Sequence, residues 1–507
     1  MNNLLMNNAT YYTRMFPQLE RLPSMPNSKH EIGLQELGLI MKDDNEESGD
    51  SEVASGATYL GQFIDHDLTL DLTPLDYAHV GPDRTPNHRT PFLDLDHLYG
   101  GGPNLSPFLY DMTGSPGAEH FLIGSTRKAM IGNSRLGPSA DDLPRNRMGI
   151  ALVGDPRQDE NVIIAQLNLA FLKIHNLLLD LLIAEHPNGR VNRAGPVGGT
   201  LFEQARRLLI WHYQYVVFHE FLGTLVTPDV FAEVLKGRIA WAPRANKRFS
   251  IPLEFSVAGF RFGHSMVRDS YPYNDFHDDA KLGELLKQTG IGGGARPRLP
   301  ADWVIKWSNF FPLEGIPRSA RRINTQLAIG LHGLNPDTVK LYRAPVVKPA
   351  PNGSPPTSAL SVRTLLRGAR VGLPSGQDVA KAMRIQKPLT EDEVSQGLHR
   401  PTLIKYGFDR DTPLWYYVLK EAESSRLGSE AEPPKLGGEA EPPKLSGGAH
   451  LGPVGSRLVA GVIVGALLAD PNSYLSIDPD WQPPVLDGQP RDSMSALLSL
   501  VVPASSA

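Results

Sequence analysis

The sequence predicts a mainly α protein, one large helical domain with few short strands. Long apolar segments recur with helical period, whereas few stretches alternate apolar and polar residues with period two. Residues 161–184, "NVIIAQLNLAFLKIHNLLLDLLIA", are apolar on most sides and leave Gln166, Lys173 and Asp180, seven apart, as one polar stripe, which predicts a deeply buried helix. Residues 201–225 read as a second helix of similar length. With 507 residues and 41% hydrophobic content, the chain can bury a sizeable core.

In chain order, residues 1–11 read as an N-terminal extension and residues 12–483 as the domain. Residues 42–56, acidic and Ser/Gly-rich, suit a surface loop leading into a helix. Residues 351–358 are a turn-rich loop. The heptapeptide "EAEPPKL" occurs at 430–436 and again at 439–445, so residues 430–447 read as an inserted surface excursion without chemistry. Residues 458–469, "LVAGVIVGALLA", are too short to span a bilayer and fit a buried helix. The Pro/Ser-rich stretch 484–507 is expected to be a loosely held tail.

Composition narrows the function classes. A formal charge of −5 from 50 basic and 55 acidic residues offers no basic stripe for nucleic acid and no polybasic membrane signal. Cysteine is absent, which excludes disulfides, thiolate metal sites and a cysteine nucleophile, so any metal must use imidazole, carboxylate or carbonyl ligands. The N-terminal residues lack the basic start and apolar run of a secretory signal, and no membrane span is visible, which suggests a cytoplasmic or non-classically secreted protein.

Polar residues inside apolar surroundings mark the candidate chemistry. In "ATYLGQFIDHDLTLDLT" (57–73), Leu60, Phe63, Ile64 and Leu68 form one face of an amphipathic helix. Gln62 and His66, four apart, share another line, with Asp65 one position off it and Asp67 about 100° further round. A satisfied core histidine beside a solvated acidic turn would account for these letters. So would a metal-hydrolase His-Asp pair, but that needs further ligands on neighbouring helices.

In "TPFLDLDHLYG" (90–100), Thr90, the Phe92 carbonyl, Asp94 and Asp96 are evenly spaced oxygens that an extended loop would turn the same way, towards one hard cation with Asp67 as a fifth ligand; calcium is the natural guest, and an ordinary acidic loop the alternative. "GDPRQDEN" (154–161) places Arg157 and Glu160 at the first turn of the buried helix. The helix dipole disfavours a cation there, so Arg157 suggests stabilisation of a developing anion. "FRFGHSMVR" (260–268) sets His264 among aromatics, with Arg261 on the same side if the segment is helical; a histidine in such a setting is more often structural than a ligand.

Together, "YLGQFIDHDLT", "RTPFLDLDHLYG", "GDPRQDE" and "FRFGHS" resemble, in order, the distal, calcium-loop, catalytic-arginine and proximal segments of the animal-type haem peroxidase family, peroxidase-cyclooxygenase superfamily, in its bacterial branch. The resemblance extends less sharply through residues 365–377 and 451–468. It implies haem b and calcium as cofactors, and a peroxidase that reduces hydrogen peroxide while oxidising a small donor such as a halide, thiocyanate or a phenol. On this resemblance His66 is the distal base, Arg157 the stabiliser of the leaving hydroxide, and Gln62 the orienter of water or halide. His264 is the iron ligand, and Arg261 and Arg367 pair with the propionates. Asp67, Thr90, Phe92, Asp94 and Asp96 hold calcium, and Asp65 and Glu160 correspond to the carboxylates that become ester-linked to haem. Where some relatives make a third link through methionine, this chain has Asn161.

One departure concerns the proximal side. Where the family has an asparagine that accepts a hydrogen bond from the iron-bound imidazole, ungapped alignment places Thr364, a shorter acceptor. Two rival functions follow from the same resemblance. A fatty-acid dioxygenase uses a tyrosine three residues before the proximal histidine, where this chain has Arg261. A non-catalytic adhesion module would be expected to lack the distal His or Arg, and both are present.

Overall fold

The computed structural model describes the chain except residues 1–9, 24–27, 44–48, 74–80, 132–133, 137–140, 187–197, 243–247, 291–297, 335–357, 425–446, 487–488 and 503–507. The EAEPPKL copies, and the turn-rich loop up to residue 357, lie outside the described residues. Helices dominate, and among the described residues every sheet is a two-stranded pairing.

Seven helices matter for the argument: α1 (Lys29–Ile40), α2 (Gly56–Leu68), α3 (Val162–Glu185), α4 (Leu201–Tyr215), α5 (Leu360–Arg370), α6 (Leu414–Glu423) and α7 (Pro453–Ala469). Local chemistry sets their starts. Asn161 caps α3 by accepting from Ile164 N, and Thr200 and Glu203 close a reciprocal capping box on α4. The seven-residue polar stripe of α3 is satisfied in turn: Gln166 donates to the Asp141 carbonyl, Lys173 reaches the Asp141 carboxylate and Asp180 meets His120. α3 packs on α4, and α4 continues through a π-helical turn, Val216–Phe221, into Leu222–Leu225. α3 is the only described helix long and apolar enough to cross a membrane, and 83% of its apolar window is buried inside the fold.

α7 is the buried helix expected at 458–469. Gly465 is required there, because a Cβ would lie 2.2 Å from the Trp241 carbonyl oxygen, and Trp241 N donates to the Gly461 carbonyl. Its N-terminal N–H groups are met by Glu421 of α6, which accepts from Val454 N at 2.8 Å and Gly455 N at 3.3 Å. Burial pushes the Glu421 carboxyl up to about 8. Its folded pKa lies above the unfolded value, so its stabilising contribution is complete at low pH and is lost as pH rises towards 8. Urea unfolding between pH 5 and 9 is therefore expected to show stability falling by up to ~1.4 kcal/mol per pH unit from this group, and Glu421→Gln should flatten that slope. Equal slopes in both proteins would refute the assignment.

Three sequence expectations are corrected. Residues 42–56 are not a simple surface loop: Asp43 pairs with buried Arg321, and Asp50–Ala54 is a strand antiparallel to Ser319–Arg321. This pairing, with Gly56 N donating to Phe310 O at 2.9 Å, anchors the start of α2. The N-terminal extension is paired at its end, Thr10–Tyr11 against Pro86–Asn87. In the tail, Met494–Leu498 is a helix with Met494, Leu497 and Leu498 buried and Met494 N bonded to Glu220, because three apolar side chains at helical spacing outweigh the Pro/Ser-rich composition around them.

Candidate active site

α2 presents its polar residues in two directions. Leu60, Phe63, Ile64 and Leu68 face the core, as the spacing required, and Phe63 sits between His97 and Phe171 at 4.5 and 4.7 Å. On the first polar line, His66 is buried, and its Nε2 lies 3.7 Å from Glu160 Oε1. Gln62 hydrogen-bonds the same Glu160 oxygen and, more weakly, Asn161. Burial, reinforced by Arg157, lowers the His66 pKa well below the usual histidine value, so the ring is neutral. Burial likewise raises Glu160 to about 7.

Arg157 and Glu160 are not on the first turn of α3. They belong to a separate 3-10 turn, Pro156–Asp159 and its cap, because Asn161 takes the capping position of α3. Arg157 is held from two sides. Asp155 accepts from its Nε and Nη2, the latter at 2.8 Å, and Nη2 also donates to the His66 carbonyl at 2.9 Å. Burial favours the neutral acid at Asp155, but contact with Arg157 outweighs it and holds the carboxyl well below its ordinary value. The turn is clamped again at Asp159, which receives Arg145 Nη1 and Nη2 at 2.7 and 2.8 Å.

On the other side of α2, Asp67 is fully buried; Oδ1 meets His97 Nδ1 at 2.9 Å, while Oδ2 has no hydrogen-bond partner among the described residues. The loop from Thr90 does converge on it, though not by the alternation of an extended chain. Leu95 adopts a left-handed conformation (φ 55°), and Asp96 opens a short helix, Asp96–Tyr99. Thr90 donates to Asp94 at 2.7 Å through its hydroxyl and to Asp96 at 3.0 Å through its N–H, and Asp67, Asp96 and His97 offer ligand atoms within 4.8 Å of one another. Burial raises all three carboxyls, Asp67 to about 7 and Asp96 to about 6, with Asp94 raised further by its acidic neighbours. An under-partnered buried carboxylate among two others fits a hard cation. Phe92 lies in this loop, stacked on Phe249.

His264 lies on Gly263–Met266, after a 3-10 turn, Gly259–Phe262, that carries Arg261. It is half-buried, with its pKa pushed down to about 3 by desolvation and by Arg261, and its Nδ1 has no hydrogen-bond partner among the described residues. A neutral imidazole with an unpartnered nitrogen is the state an iron ligand requires. Trp415 packs 6.0 Å from the ring and donates Nε1 to the Arg261 carbonyl. The Thr364 hydroxyl donates to the Leu360 carbonyl at 2.9 Å, and among the described residues His264 Nδ1 makes no hydrogen bond, so the expected bond from His264 to Thr364 is not formed. Arg261 lies 3.9 Å from Asp65, which also receives the Thr69 hydroxyl, so Asp65 is not an isolated carboxylate. Arg367 pairs with Asp71, and its Nη1 is buried without an acceptor among the described residues, as fits a propionate partner.

Sequence reasoning missed four residues: Asp155, Gln158, His97 and Arg89. Asp155 was legible in principle as the acidic neighbour two residues before Arg157. Gln158 Nε2 lies 3.4 Å from His66 Nδ1. Arg89 contacts Asp96 at 3.2 Å and Asp155 at 3.6 Å, joining the acidic loop to the holder of Arg157.

A family model described as animal haem peroxidase matches residues 72–289, which include the acidic loop, Arg157, Glu160, Arg261 and His264 and begin after α2. Thyroid peroxidase of Rattus norvegicus is 25% identical over 212 residues, 41% of this chain and 22% of that protein. A peroxidase-like protein of Margaritifera margaritifera is 28% identical over 214 residues, 39% of this chain and 24% of that protein. The chain thus spans about a quarter or less of the length of these relatives. Among solved structures, peroxidase A of Dictyostelium discoideum superposes with a TM-score of 0.56 at 15% identity, covering 92% of this chain and 88% of that one. The fatty acid alpha-dioxygenase of Oryza sativa gives 0.57 at 14% identity, covering 91% and 76%. Relatives and fold agree with the family match, and residues 72–289 are those of an animal haem peroxidase segment.

Proposed function

We propose that the protein is a haem peroxidase that reduces hydrogen peroxide and oxidises a small donor, a halide, thiocyanate or a phenol. The observation that supports this best is the distal arrangement: a neutral, buried His66 beside an Arg157 whose guanidinium is fixed by Asp155 and by the His66 carbonyl. When bound, haem supplies the iron at which peroxide is taken up. His66 moves a proton from one peroxide oxygen to the other, and Arg157 stabilises the negative charge of the departing hydroxide without having to reorient. Gln62 orients water or halide beside His66. His264 ligates the iron, and Arg261 and Arg367 bind the propionates. Calcium, held by Asp67, Thr90, the Phe92 carbonyl, Asp94 and Asp96, ties down the helix that carries His66.

Asp65 and Glu160 are the carboxylates for ester links to haem, with peroxide as oxidant. Both are engaged, Glu160 by Gln62 beside His66 and Asp65 by Thr69 and Arg261. Asn161 excludes a sulfonium link.

One experiment tests the reading. After haem reconstitution, the purified protein should show a Soret band that changes on peroxide addition and returns with iodide or a phenol. Denaturing chromatography after peroxide should leave haem on the polypeptide. No Soret band would overturn the cofactor assignment, free haem would overturn the esters, and palmitate consumption with dioxygen instead of donor oxidation would favour the dioxygenase.

A further inference from the structure

Away from His66 and His264, Trp211, His212, Tyr215, His219, Tyr474 and Trp481 pack as one aromatic cluster beside the π-helical turn. Tyr215 packs on His219 at 4.1 Å with the rings tilted by 32°, and Trp481 lies 5.5 Å from Trp211, 5.2 Å from His212 and 5.9 Å from Tyr474. The Tyr474 hydroxyl is 3.4 Å from His219 Nε2, and burial keeps His219 below its ordinary pKa, a neutral proton acceptor. Trp211 Nε1 donates to the Asn472 carbonyl and the Tyr215 hydroxyl to Gln482.

The cluster opens outward and inward. Tyr215, His219 and Trp481 are half-buried, and the exposed Asp478, Asp480 and Asp492 lie beside them in sequence or in space, while Arg491 turns inward to Ala496 and Ser499. Inward, Phe221 of the same π turn covers Gly61 of α2, next to Gln62, with its ring 3.2 Å from where a Cβ would sit. It also lies 6.0 Å from Phe260, four residues before His264. Helical π turns are rare and concentrate at functional sites.

We propose that this cluster is a surface oxidation site for cationic one-electron donors too large to enter the haem site; the proposal rests on the peroxidase reading. In a chain without cysteine, indole and phenol are the side chains most readily oxidised by one electron. The donor gives an electron to Trp481 or Tyr215, and the π turn that carries His219 also carries Phe221, which reaches α2 and the His264 segment. When Tyr474 is the carrier, its phenolic proton passes to His219 and returns on re-reduction. Two donors each lose one electron, and these two electrons with two protons from the buffered solvent reduce one hydrogen peroxide to two waters. The acidic rim selects positive charge.

The test uses the full haem-loaded chain with two donors: ferrocytochrome c, large and basic, and iodide, small. Trp481→Phe with Tyr215→Phe should slow ferrocytochrome c oxidation about tenfold or more while leaving iodide oxidation unchanged, and the wild-type rate should fall steeply with salt. The narrow organic-radical signal seen by electron paramagnetic resonance after peroxide alone should shrink in the double variant. Asp478→Asn with Asp480→Asn, exposed and harmless to folding, should raise KM for ferrocytochrome c only. Unchanged ferrocytochrome c rates in both variants, or a parallel loss with iodide, overturn the proposal. If the wild type oxidises neither donor, the peroxidase reading itself fails, and photo-oxidation of the haem-free full chain by a ruthenium complex with persulfate still judges the cluster. Trp481 and Tyr215 should then be modified ahead of Tyr11, which is 50% exposed; Tyr11 reacting first would overturn it.

Discussion

Replacing His66 by alanine is expected to slow peroxide activation roughly 10²-fold or more with haem still bound, because general-base catalysis is lost while the proximal ligand is untouched. The substitution isolates the imidazole well. Arg157 is anchored on the His66 carbonyl and on Asp155, both of which survive, so the charge stabiliser stays where it is. Gln158 bears on the same step. Its amide nitrogen lies 3.4 Å from His66 Nδ1, so it bears on the orientation and proton placement of the ring. Gln158→Leu should therefore slow the step less than His66→Ala and shift its pH profile. Stopped-flow absorbance after mixing with peroxide reads both, and a His66→Ala protein that reacts at the wild-type rate would remove His66 from the mechanism.

Removal of calcium is expected to cost about 3–5 kcal/mol of stability, the range for leaving buried charge without its partner, and to slow peroxide activation as well. Asp67, Asp94 and Asp96 are drawn together in the interior, and Leu95 between two of them holds a left-handed backbone that costs about 1–2 kcal/mol. A bound cation would offset both. Two routes join this site to catalysis. Asp67 is the residue after His66 on α2, and Arg89 spans Asp96 and Asp155, which in turn grips Arg157. A strong chelator, or Asp94→Ala, should lower the melting temperature and the activation rate together, and added calcium should restore only the chelated wild type. Elemental analysis without calcium, combined with an unmoved melting temperature on chelation, would sink the assignment.

The helical period was legible because one face of each long helix must be apolar to be buried. The core positions of α2, the polar stripe of α3 and the burial of α7 followed from spacing alone. Candidate groups were legible for a related reason: a carboxylate, imidazole or guanidinium in an apolar setting carries a desolvation cost, so it stands out against its neighbours. Asp67, Arg157 and His264 all stood out in this way; Asp67 and Arg157 are buried in the structure and His264 is half-buried.

What composition obscured was order in segments whose partners are distant. Residues 50–54 look like loop until Ser319–Arg321 pairs with them, and Met494–Leu498 looks like tail until it docks on the core beside Glu220. Partner identity was likewise a tertiary decision. The letters at 90–96 named oxygens but not the left-handed Leu95 that turns them, nor His97 on Asp67, nor Arg89 as the bridge to Asp155. Thr364 is the clearest case, since alignment placed a hydroxyl opposite His264, while in the structure that hydroxyl bonds the Leu360 carbonyl of its own helix and does not meet the His264 Nδ1. By itself the sequence determined which residues must be buried and which buried groups would be costly, because those depend on side-chain chemistry and local period. Only the tertiary structure decided which groups relieve that cost, because hydrogen bonds and ion pairs act over a few ångströms between residues that the chain keeps far apart.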